Sequence, residues 1–468
     1  MRLQQLETDT TMLEVQEVKY RAADGRLFAC TDLHGFEVVD ASDPANMRYI
    51  ANFVAPESIA KESGFGKDPP GCMHLAYDPD RVVGPTAESG PEAEPDPDVV
   101  FFSHRGNETN PSYLAAYDVA ADPPAELALY QEAGVSFEGL DMAGGYVYAG
   151  LHNDGLGVFQ LADGALERIA TATGLENAWG VFAQGDTVFV ADGPGGLATV
   201  DVSDPTAPTL LGRVATGGHA RSVFVDGTTA YVGAGPAGLV VVDVADLSRP
   251  LVVGRAETPG SASQVYYSDG RVYVGAWTDA RVYDVSDRTA PRMIASTRFD
   301  AQSRFGTPVQ GVGDLEEGRP LVPSRTVAVA AHEDIVFVGN WHLLYSYRLH
   351  PDRLAPNLYM PDSAAWLDLG VVEPGQSSEL ALEVKNQGTA PLNVLQVWAD
   401  DPSFSVMPTQ VRVEPEASTV LTITYAPSGL EQQTAKLRIL TDDPLQPVRT
   451  SGLVGNAAVT PAGSSSLC

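Results

Sequence analysis

The chain has 468 residues, of which 44% are hydrophobic and 19% charged, so it is too apolar for a disordered polymer and too long for one small domain. Its net charge of −32 repels phosphate backbones and anionic lipid, which predicts no nucleic-acid partner and no direct membrane insertion. No apolar run reaches the roughly 18 residues that span a bilayer, and three cysteines are too few for a disulfide framework.

Seven similar units follow one another through the first 350 residues. In chain order they contain residues 24–44, 99–118, 145–158, 181–208, 222–254, 265–291 and 335–347. The fourth to sixth copies are the clearest, because an aspartate follows the third apolar run at Asp201, Asp243 and Asp284, a spacing of about 42 residues. About four strands per unit at this period is typical of propeller blades, so the sequence predicts an all-β, seven-bladed β-propeller.

Short motifs within the units predict their local structure. Asp226-Gly227 and Asp269-Gly270 can adopt the positive φ angles of type I′ hairpins. The run from Leu239 to Val242 is apolar at consecutive positions, which predicts burial on both faces between neighbouring blades. The paired aspartates after the third strands, such as Asp243 and Asp246, favour Asx turns over calcium ligation.

The two ends of the repeat array predict how it closes. The seventh unit has no recognisable fourth strand after Tyr347, whereas residues 1–8 resemble residues 252–258 of a fourth strand. We therefore expect the N-terminal segment to supply the missing outer strand of the last blade, which removes its free edge.

The third-strand motif Leu239-Val-Val-Val-Asp243 resembles the LVIVD repeat family of bacterial and archaeal proteins. The resemblance covers roughly residues 1 to 350. It implies a β-propeller-like fold and frequent association with the cell surface. It brings no catalytic residues, because none define the family.

The periodicity changes from Ala355 onward. Leu380, Leu382 and Val384 alternate with polar neighbours, and other short segments do the same, which predicts a small β-sandwich. The segments 386–394, 425–427 and 441–444 resemble hydin-type and "choice-of-anchor D" immunoglobulin-like domains, which serve as stalks or adaptors. The predicted domains are a propeller at 1–352, an immunoglobulin-like sandwich at 353–456 and a flexible tail at 457–468, after which a further C-terminal domain or anchor is a possible continuation.

One face of the predicted ring gathers polar and aromatic side chains from the inner-strand starts and from the loops between second and third strands. Both long loops, 54–71 and 300–324, also fall on this face, so it is the place to expect a ligand. The alternative is that polar groups there line a solvated tunnel mouth. The candidate ligand-binding residues are Glu17, His74, His104, Glu138, His152, Trp179, Arg221, Gln264, Trp277, Arg325, Trp341 and His342.

Two further possibilities remain open at this level. His74, His104, Glu138 and His152 come from adjacent blades and could polarise a substrate or bind a transition metal, although scattered histidines without fixed spacing are weak evidence. Cys30 and Cys72 should lie toward the same face, but a disulfide needs a short Cβ separation that sequence does not give.

The sequence contains no nucleophile elbow, metalloprotease motif, P-loop or dinucleotide fingerprint, so it predicts no catalytic residue, metal or cofactor. We expect a non-enzymatic scaffold whose propeller face binds a protein, glycan or small ligand while the immunoglobulin-like domain acts as a spacer. Acidity and domain type favour an extracellular or surface location, although residues 1–20 lack a signal-peptide core. The alternative is a propeller enzyme, such as a hydrolase, lyase or metal-dependent oxidase, with a His/Glu site.

Overall fold

The computed structural model describes residues 2–9, 15–31, 35–53, 71–77, 98–105, 111–120, 125–258, 260–277, 279–298, 326–340, 343–350, 356–360, 364, 366–443 and 448–456. The chain divides into two compact units, Leu3–Leu349 and a second unit that begins at His350 and also takes residues 1–2. The predicted boundaries at 352 and 456 remain predictions. None of the described segments forms a helix with the length and apolar character that crossing a bilayer requires.

The described residues of the first unit form seven four-stranded antiparallel sheets. Strands are numbered in chain order, and β1 spans Arg2–Asp9. The first sheet contains β2 (Val15–Arg21), β3 (Arg26–Thr31), β4 (Gly35–Asp40) and β5 (Arg48–Phe53). The second contains β6 (His74–Tyr77), β7 (Val99–His104), β8 (Ser112–Asp118) and β9 (Ala125–Glu132). The third contains β10 (Leu140–Ala143), β11 (Tyr146–Gly150), β12 (Leu156–Ala162) and β13 (Ala165–Ala172).

The next three sheets follow the clearest repeats. The fourth contains β14 (Val181–Gln184), β15 (Thr187–Ala191), β16 (Leu197–Asp201) and β17 (Thr209–Val214). The fifth contains β18 (Ser222–Asp226), β19 (Thr229–Gly233), β20 (Leu239–Asp243) and β21 (Leu251–Ala256). The sixth contains β22 (Gln264–Ser268), β23 (Arg271–Gly275), β24 (Asp279–Asp284) and β25 (Arg292–Arg298). The seventh contains β26 (Thr326–His332), β27 (Ile335–Asn340), β28 (Leu344–His350) and β1.

The seven sheets close into a ring. The inner strands β2, β6, β10, β14, β18, β22 and β26 each contact the inner strand of the next sheet, and β26 contacts β2. The N-terminal strand β1 pairs with β28 at the outer edge of the seventh sheet. The predicted closure by the N-terminal segment is therefore confirmed, and it covers an edge that would otherwise be open.

Neighbouring sheets bury their faces against each other. Val240 and Val242 of β20 pack in a cluster with β15 and β16, whereas Leu239 and Val241 pack in the cluster shared with β22 and β23. Because successive side chains of a strand point to opposite faces, a strand buried on both sides must be apolar throughout. This confirms the prediction from the Leu239–Val242 run.

The turn motifs behave largely as predicted. The carboxylates of Asp201, Asp243 and Asp284 each accept the N–H two residues later, at 2.9, 3.0 and 2.9 Å, which is the hydrogen bond of an Asx turn. Asp269-Gly270 has two positive φ angles, as a type I′ hairpin requires. The predicted hairpin at Asp226-Gly227 is shifted by one residue. Asp226 pairs with Thr229, so the two central residues of the turn are Gly227 and the residue after it.

The second unit is a two-sheet sandwich. One sheet has the order β29-β31-β35-β33 and the other the order β30-β37-β36-β32-β34. The strands are β29 (Leu358–Tyr359), β30 (Trp366–Asp368), β31 (Ser378–Asn386), β32 (Leu392–Ala399), β33 (Phe404–Met407), β34 (Val411–Val413), β35 (Ser418–Tyr425), β36 (Gln433–Thr441) and β37 (Val448–Gly455). Leu382 and Val384 from one sheet share a core with Leu437 and Ile439 from the other, so the predicted alternation is confirmed.

Candidate functional site

A cavity of about 510 Å³ lies along the axis of the ring, between the inner strands. Seven of the predicted candidate residues line it, namely Glu17, His74, Glu138, Trp179, Arg221, Gln264 and Trp277. Arg325, Trp341 and His342 lie outside the described residues, as do residues 54–70 and 300–324 of the two long loops. The structure therefore brings together residues from six sheets at one cavity, while their role in binding stays a prediction.

The predicted site residues on the inner strands belong to two layers of the cavity, whereas the sequence places them at one equivalent position. The middle layer consists of Glu17, His74 and Gln264, which pair with Cys30, Ser103 and Gly275 of the second strands. The rim layer consists of Glu138, Trp179 and Arg221, which precede β10, β14 and β18. In the rim layer each N–H donates to the end of the adjacent second strand, at Gly150, Ala191 and Gly233.

The middle layer has a structural role. Glu17 accepts a hydrogen bond of 2.7 Å from the N–H of Leu75, and Gln264 accepts one of 2.6 Å from the N–H of Val329. Gln264 also donates to Glu17 at 3.3 Å. These side chains therefore satisfy N–H groups on the axial edge of the next inner strand, which would otherwise face the cavity unpaired. Burial raises the pKa of Glu17, but Lys19, His74 and the Leu75 N–H outweigh it and leave the pKa lowered.

Glu138 is the centre of a charged cluster in the rim layer. Its fully buried carboxylate contacts the guanidinium of Arg105, the Nε2 atom of His152 at 2.6 Å and the hydroxyl of Ser136 at 3.1 Å. The Nε2 atom of His74 lies 3.9 Å away. Burial raises the pKa of Glu138, but the His152 hydrogen bond and the charges of Arg105 and His74 prevail and lower the pKa to about 2. The carboxylate is therefore held ionised.

His104 is not among the residues that line the cavity, and its predicted role in binding stays a prediction. It is 8% exposed and stacks on Tyr113 with ring centroids 5.3 Å apart. Arg105, the next residue, lines the cavity instead, because successive side chains near a strand end point in opposite directions. Sequence reasoning missed Arg105, although aligning it with His152, which also follows a second strand, would have found it.

Aromatic rings frame the rest of the rim. The guanidinium of Arg221 lies 5.1 Å from the ring of Trp179 and 5.8 Å from that of Trp277, within the range of cation–π contacts. The ring of His152 also lies close to Trp179, with the ring centroids 4.8 Å apart. His219 meets Trp179 edge-on at 5.6 Å. Burial, followed by the charges of Arg221 and His152, lowers the pKa of His219.

His152 and Trp277 adopt a conformation that glycine adopts in the neighbouring sheets. Their φ angles are 51° and 52°, and the residues at the same place in the fourth and fifth sheets are Gly193 and Gly235, with φ angles of 51° and 57°. All four form the same isolated bridge to the segment that enters the next inner strand. Left-handed φ is disfavoured for side-chain-bearing residues and most of all for bulky ones. The departures from glycine at the rim are therefore energetically unfavourable for the backbone.

The deep layer, two residues further along the inner strands, is partly aromatic. Phe182, Phe224 and Tyr266 line the cavity in three successive sheets. On the side of the cavity opposite these rings, the Nζ atom of Lys19 lies 4.0 Å from a carboxylate oxygen of Asp141. The Asp141 carboxylate also accepts a hydrogen bond of 2.8 Å from the N–H of Ala183. Burial raises the pKa of Asp141.

The predicted metal alternative finds no support in the arrangement of these groups. Among the described residues, no group of three or more His, Cys, Asp or Glu side chains is arranged to hold a metal ion. Glu138 is engaged by Arg105 and His152, and His104 stacks elsewhere. Of the four residues proposed for such a site, Glu138, His74 and His152 lie close together, whereas His104 is not among the residues that line the cavity.

A disulfide joins the first two sheets beside the middle layer. Cys30, at the end of β3, is bonded to Cys72, which precedes β6, and their Cα atoms are 4.7 Å apart. Both residues are buried. This resolves a pairing that the sequence left open, and it ties the strand that carries His74 to the first sheet.

Comparisons with known proteins agree with this architecture. The LVIVD repeat matches residues 176–216, 217–258 and 259–298, and the HYDIN/CFA65/VesB-like Ig-like domain matches residues 363–455. No curated protein matches this sequence.

Solved structures show the same fold at low identity. The structure of U3-55K has a TM-score of 0.50 at 11% identity, covering 74% of this chain and 98% of that one. The WD40 repeats of RRP9 have a TM-score of 0.50 at 12% identity, covering 74% and 97%. These likenesses concern the fold alone. The chain is thus an all-β protein that carries LVIVD repeats in a propeller-like domain, followed by a HYDIN/CFA65/VesB-like immunoglobulin-like domain.

Proposed function

We propose that the protein is a non-enzymatic binding scaffold, in which the ring of sheets presents the rim of its axial cavity to a ligand. The observation that carries the proposal is the left-handed backbone at His152 and Trp277. A side-chain-bearing residue costs about 1–3 kcal/mol in that conformation, so a rim with only a structural role would keep glycine. Both side chains instead extend the rim, where His152 contacts Glu138 and Trp277 contacts Arg221.

The enzyme alternative is less well supported by the same geometry. A general acid or base at neutral pH needs a pKa near 7, whereas Glu138 has its pKa lowered to about 2. Metal analysis of the wild-type protein and of the His74→Ala and His152→Ala variants separates the two functions. A stoichiometric metal that both variants lose would favour the enzyme.

The proposal includes a secreted or surface-exposed location, with the immunoglobulin-like domain as spacer or adaptor. The buried Cys30–Cys72 disulfide supports it, because structural disulfides persist mainly in oxidising compartments. Intact mass of the protein from its native cells, after alkylation in denaturant without reductant, tests this. We expect Cys30 and Cys72 to escape alkylation, and modification of both would argue for a reducing compartment.

Binding at the rim is tested with tryptophan fluorescence, since Trp179 and Trp277 line the cavity. The full chain is titrated with panels of small sugars, short peptides and aromatic acids. We expect one class to change the fluorescence saturably in the wild type and in a Trp366→Phe control, whose indole is exposed in the second unit. The same ligands should fail with His152→Gly and Trp277→Gly. Equal saturation in these variants, or no saturation by any class, would count against the proposal.

A further inference from the structure

The two sides of the axial cavity differ in chemistry. On one side, the rings of Phe182, Phe224 and Tyr266 form an arc in the deep layer, with successive centroids 4.7 and 5.0 Å apart. In the middle layer above them stand Gly180 and Ser222, whose small size leaves the aromatic faces accessible from the cavity. This side can therefore accept a flat apolar group.

The opposite side carries the acids, and each is engaged by the protein itself. Glu17 accepts the N–H of Leu75, and Asp141 accepts that of Ala183. Glu138 is paired with Arg105 and His152. Because their hydrogen-bonding capacity is used internally, these carboxylates do not provide a ready site for a cationic ligand.

The rim above the aromatic arc carries a guanidinium group. Arg221 lies between the rings of Trp179 and Trp277, whereas Arg105, which lies 5.5 Å from the ring of Trp179, is paired with Glu138. Guanidinium groups that stack on aromatic rings present a planar donor edge, which suits a carboxylate. A guanidinium at the mouth of the cavity is a local departure from the acidic character of a chain with net charge −32.

We propose that the axial cavity binds a planar aromatic carboxylate, with its carboxylate at Arg221 and its ring against Phe182 and Phe224. The inference rests on the proposed binding function and names its ligand class. Phe224 follows Arg221 by three residues, about 10 Å along a strand, and both line the same cavity, so one small ligand can contact both side chains. The cavity volume of about 510 Å³ lies in the range of small-molecule sites.

The test is calorimetric titration of the full chain at pH 7 with benzoate and with benzamide, which has the same shape without the charge. We expect benzoate to bind at least tenfold more tightly than benzamide. Arg221→Gln should abolish that preference, whereas Arg221→Lys should retain part of it. Arg292→Gln is the matched control, because Arg292 is half exposed on β25 and pairs with Asp284 away from the cavity. Circular dichroism and melting confirm that each variant is folded.

The outcomes separate this inference from the function on which it rests. If benzoate and benzamide bind equally, or if Arg221→Gln keeps the preference, the carboxylate inference is wrong. Saturable binding of a sugar or peptide that His152→Gly and Trp277→Gly abolish would still uphold the proposed function. If the carboxylate preference is present, lost in Arg221→Gln and kept in Arg292→Gln, the ligand class is established.

Discussion

All seven sheets of the ring have the same four-stranded architecture. The fourth to sixth sheets follow the sequence repeat closely, whereas the other four follow it loosely. Residues 176–298 are regular copies that match the LVIVD repeat, and they place aromatic rings on one side of the cavity. The first three sheets are looser copies, and they supply Glu17, His74, Arg105 and Glu138. Regular positions therefore build the ring, and departures from the repeat supply most of the charged groups at the cavity.

Two residues are exceptions to this contrast between regular and loosely repeated sheets. Asp40, in the loosely repeated first sheet, accepts the N–H of Ser42 at 3.1 Å, the same Asx turn found in the regular sheets. Conversely, Trp277 breaks the glycine pattern within a regular copy. The turn structure of the repeat thus extends to sheets whose sequence repeat is weak. A regular repeat can also gain a cavity-lining side chain by a change at one position.

The largest expected effect concerns the seventh sheet, where the repeat lacks a fourth strand of its own. Deleting residues 1–8 removes most of β1 and exposes the edge of β28. We expect the melting temperature to fall by roughly 10 °C or more. A synthetic peptide of residues 1–9 added in trans should restore part of the loss by mass action. An unchanged melting temperature after deletion would show that β1 contributes little to closure.

The next effect concerns the link between the first two sheets. Cys30→Ser with Cys72→Ser opens a loop of sequence separation 42, and the chain-entropy relation predicts a loss of about 4 kcal/mol in the free energy of unfolding. Denaturant unfolding measures it. Reductant should destabilise the wild type and leave the double variant unchanged. A wild type that is insensitive to reductant under unfolding conditions would speak against the bond.

Glu138 tests the charged cluster of the third sheet. Its pKa is lowered from its ordinary value of 4.5 to about 2, so its ionisation contributes about 3 kcal/mol of stability at neutral pH. That contribution is present above pH 4.5 and is lost as the pH falls toward 2. Glu138→Gln should therefore be destabilised at pH 7, and its difference from the wild type should narrow at pH 3.

The matched control is Glu132→Gln, which removes a partly exposed ion pair with Arg168 and should change stability by less than about 1 kcal/mol. Urea unfolding at the two pH values measures both variants. Equal losses from the two substitutions, or a Glu138 effect independent of pH, would contradict the cluster's role.

The smallest effect tests the strained position in the regular sheets. With φ of 52° at residue 277, Trp277→Gly should be about 1 kcal/mol more stable than Trp277→Ala. Gly235→Ala, at the equivalent position, should lose a similar amount, since a Cβ there would lie 3.1 Å from the carbonyl oxygen of His219. Thermal unfolding of the three variants measures these differences in stability. If Trp277→Ala is as stable as Trp277→Gly, the backbone at position 277 is not strained by a side chain.

The sequence predicts the fold better than the site because repetition is visible in order along the chain. The spacing of Asp201, Asp243 and Asp284 predicts the repeated four-stranded sheets. The similarity of residues 1–8 to a fourth strand predicts that the N-terminal segment completes the seventh sheet. The site depends on one-residue differences in side-chain direction, which separate Arg105 from His104 and the rim layer from the middle layer. The Cys30–Cys72 bond depends on a distance across two sheets, which spacing alone does not determine.

The most direct test of the account is the rise in melting temperature that saturating benzoate produces in the wild type and in the combined His152→Gly and Trp277→Gly variant. We predict a clear rise in the wild type and none in the glycine variant, which should itself be at least as stable as the corresponding double alanine variant. An equal rise in both proteins would show that the departures from glycine at the rim do not serve binding.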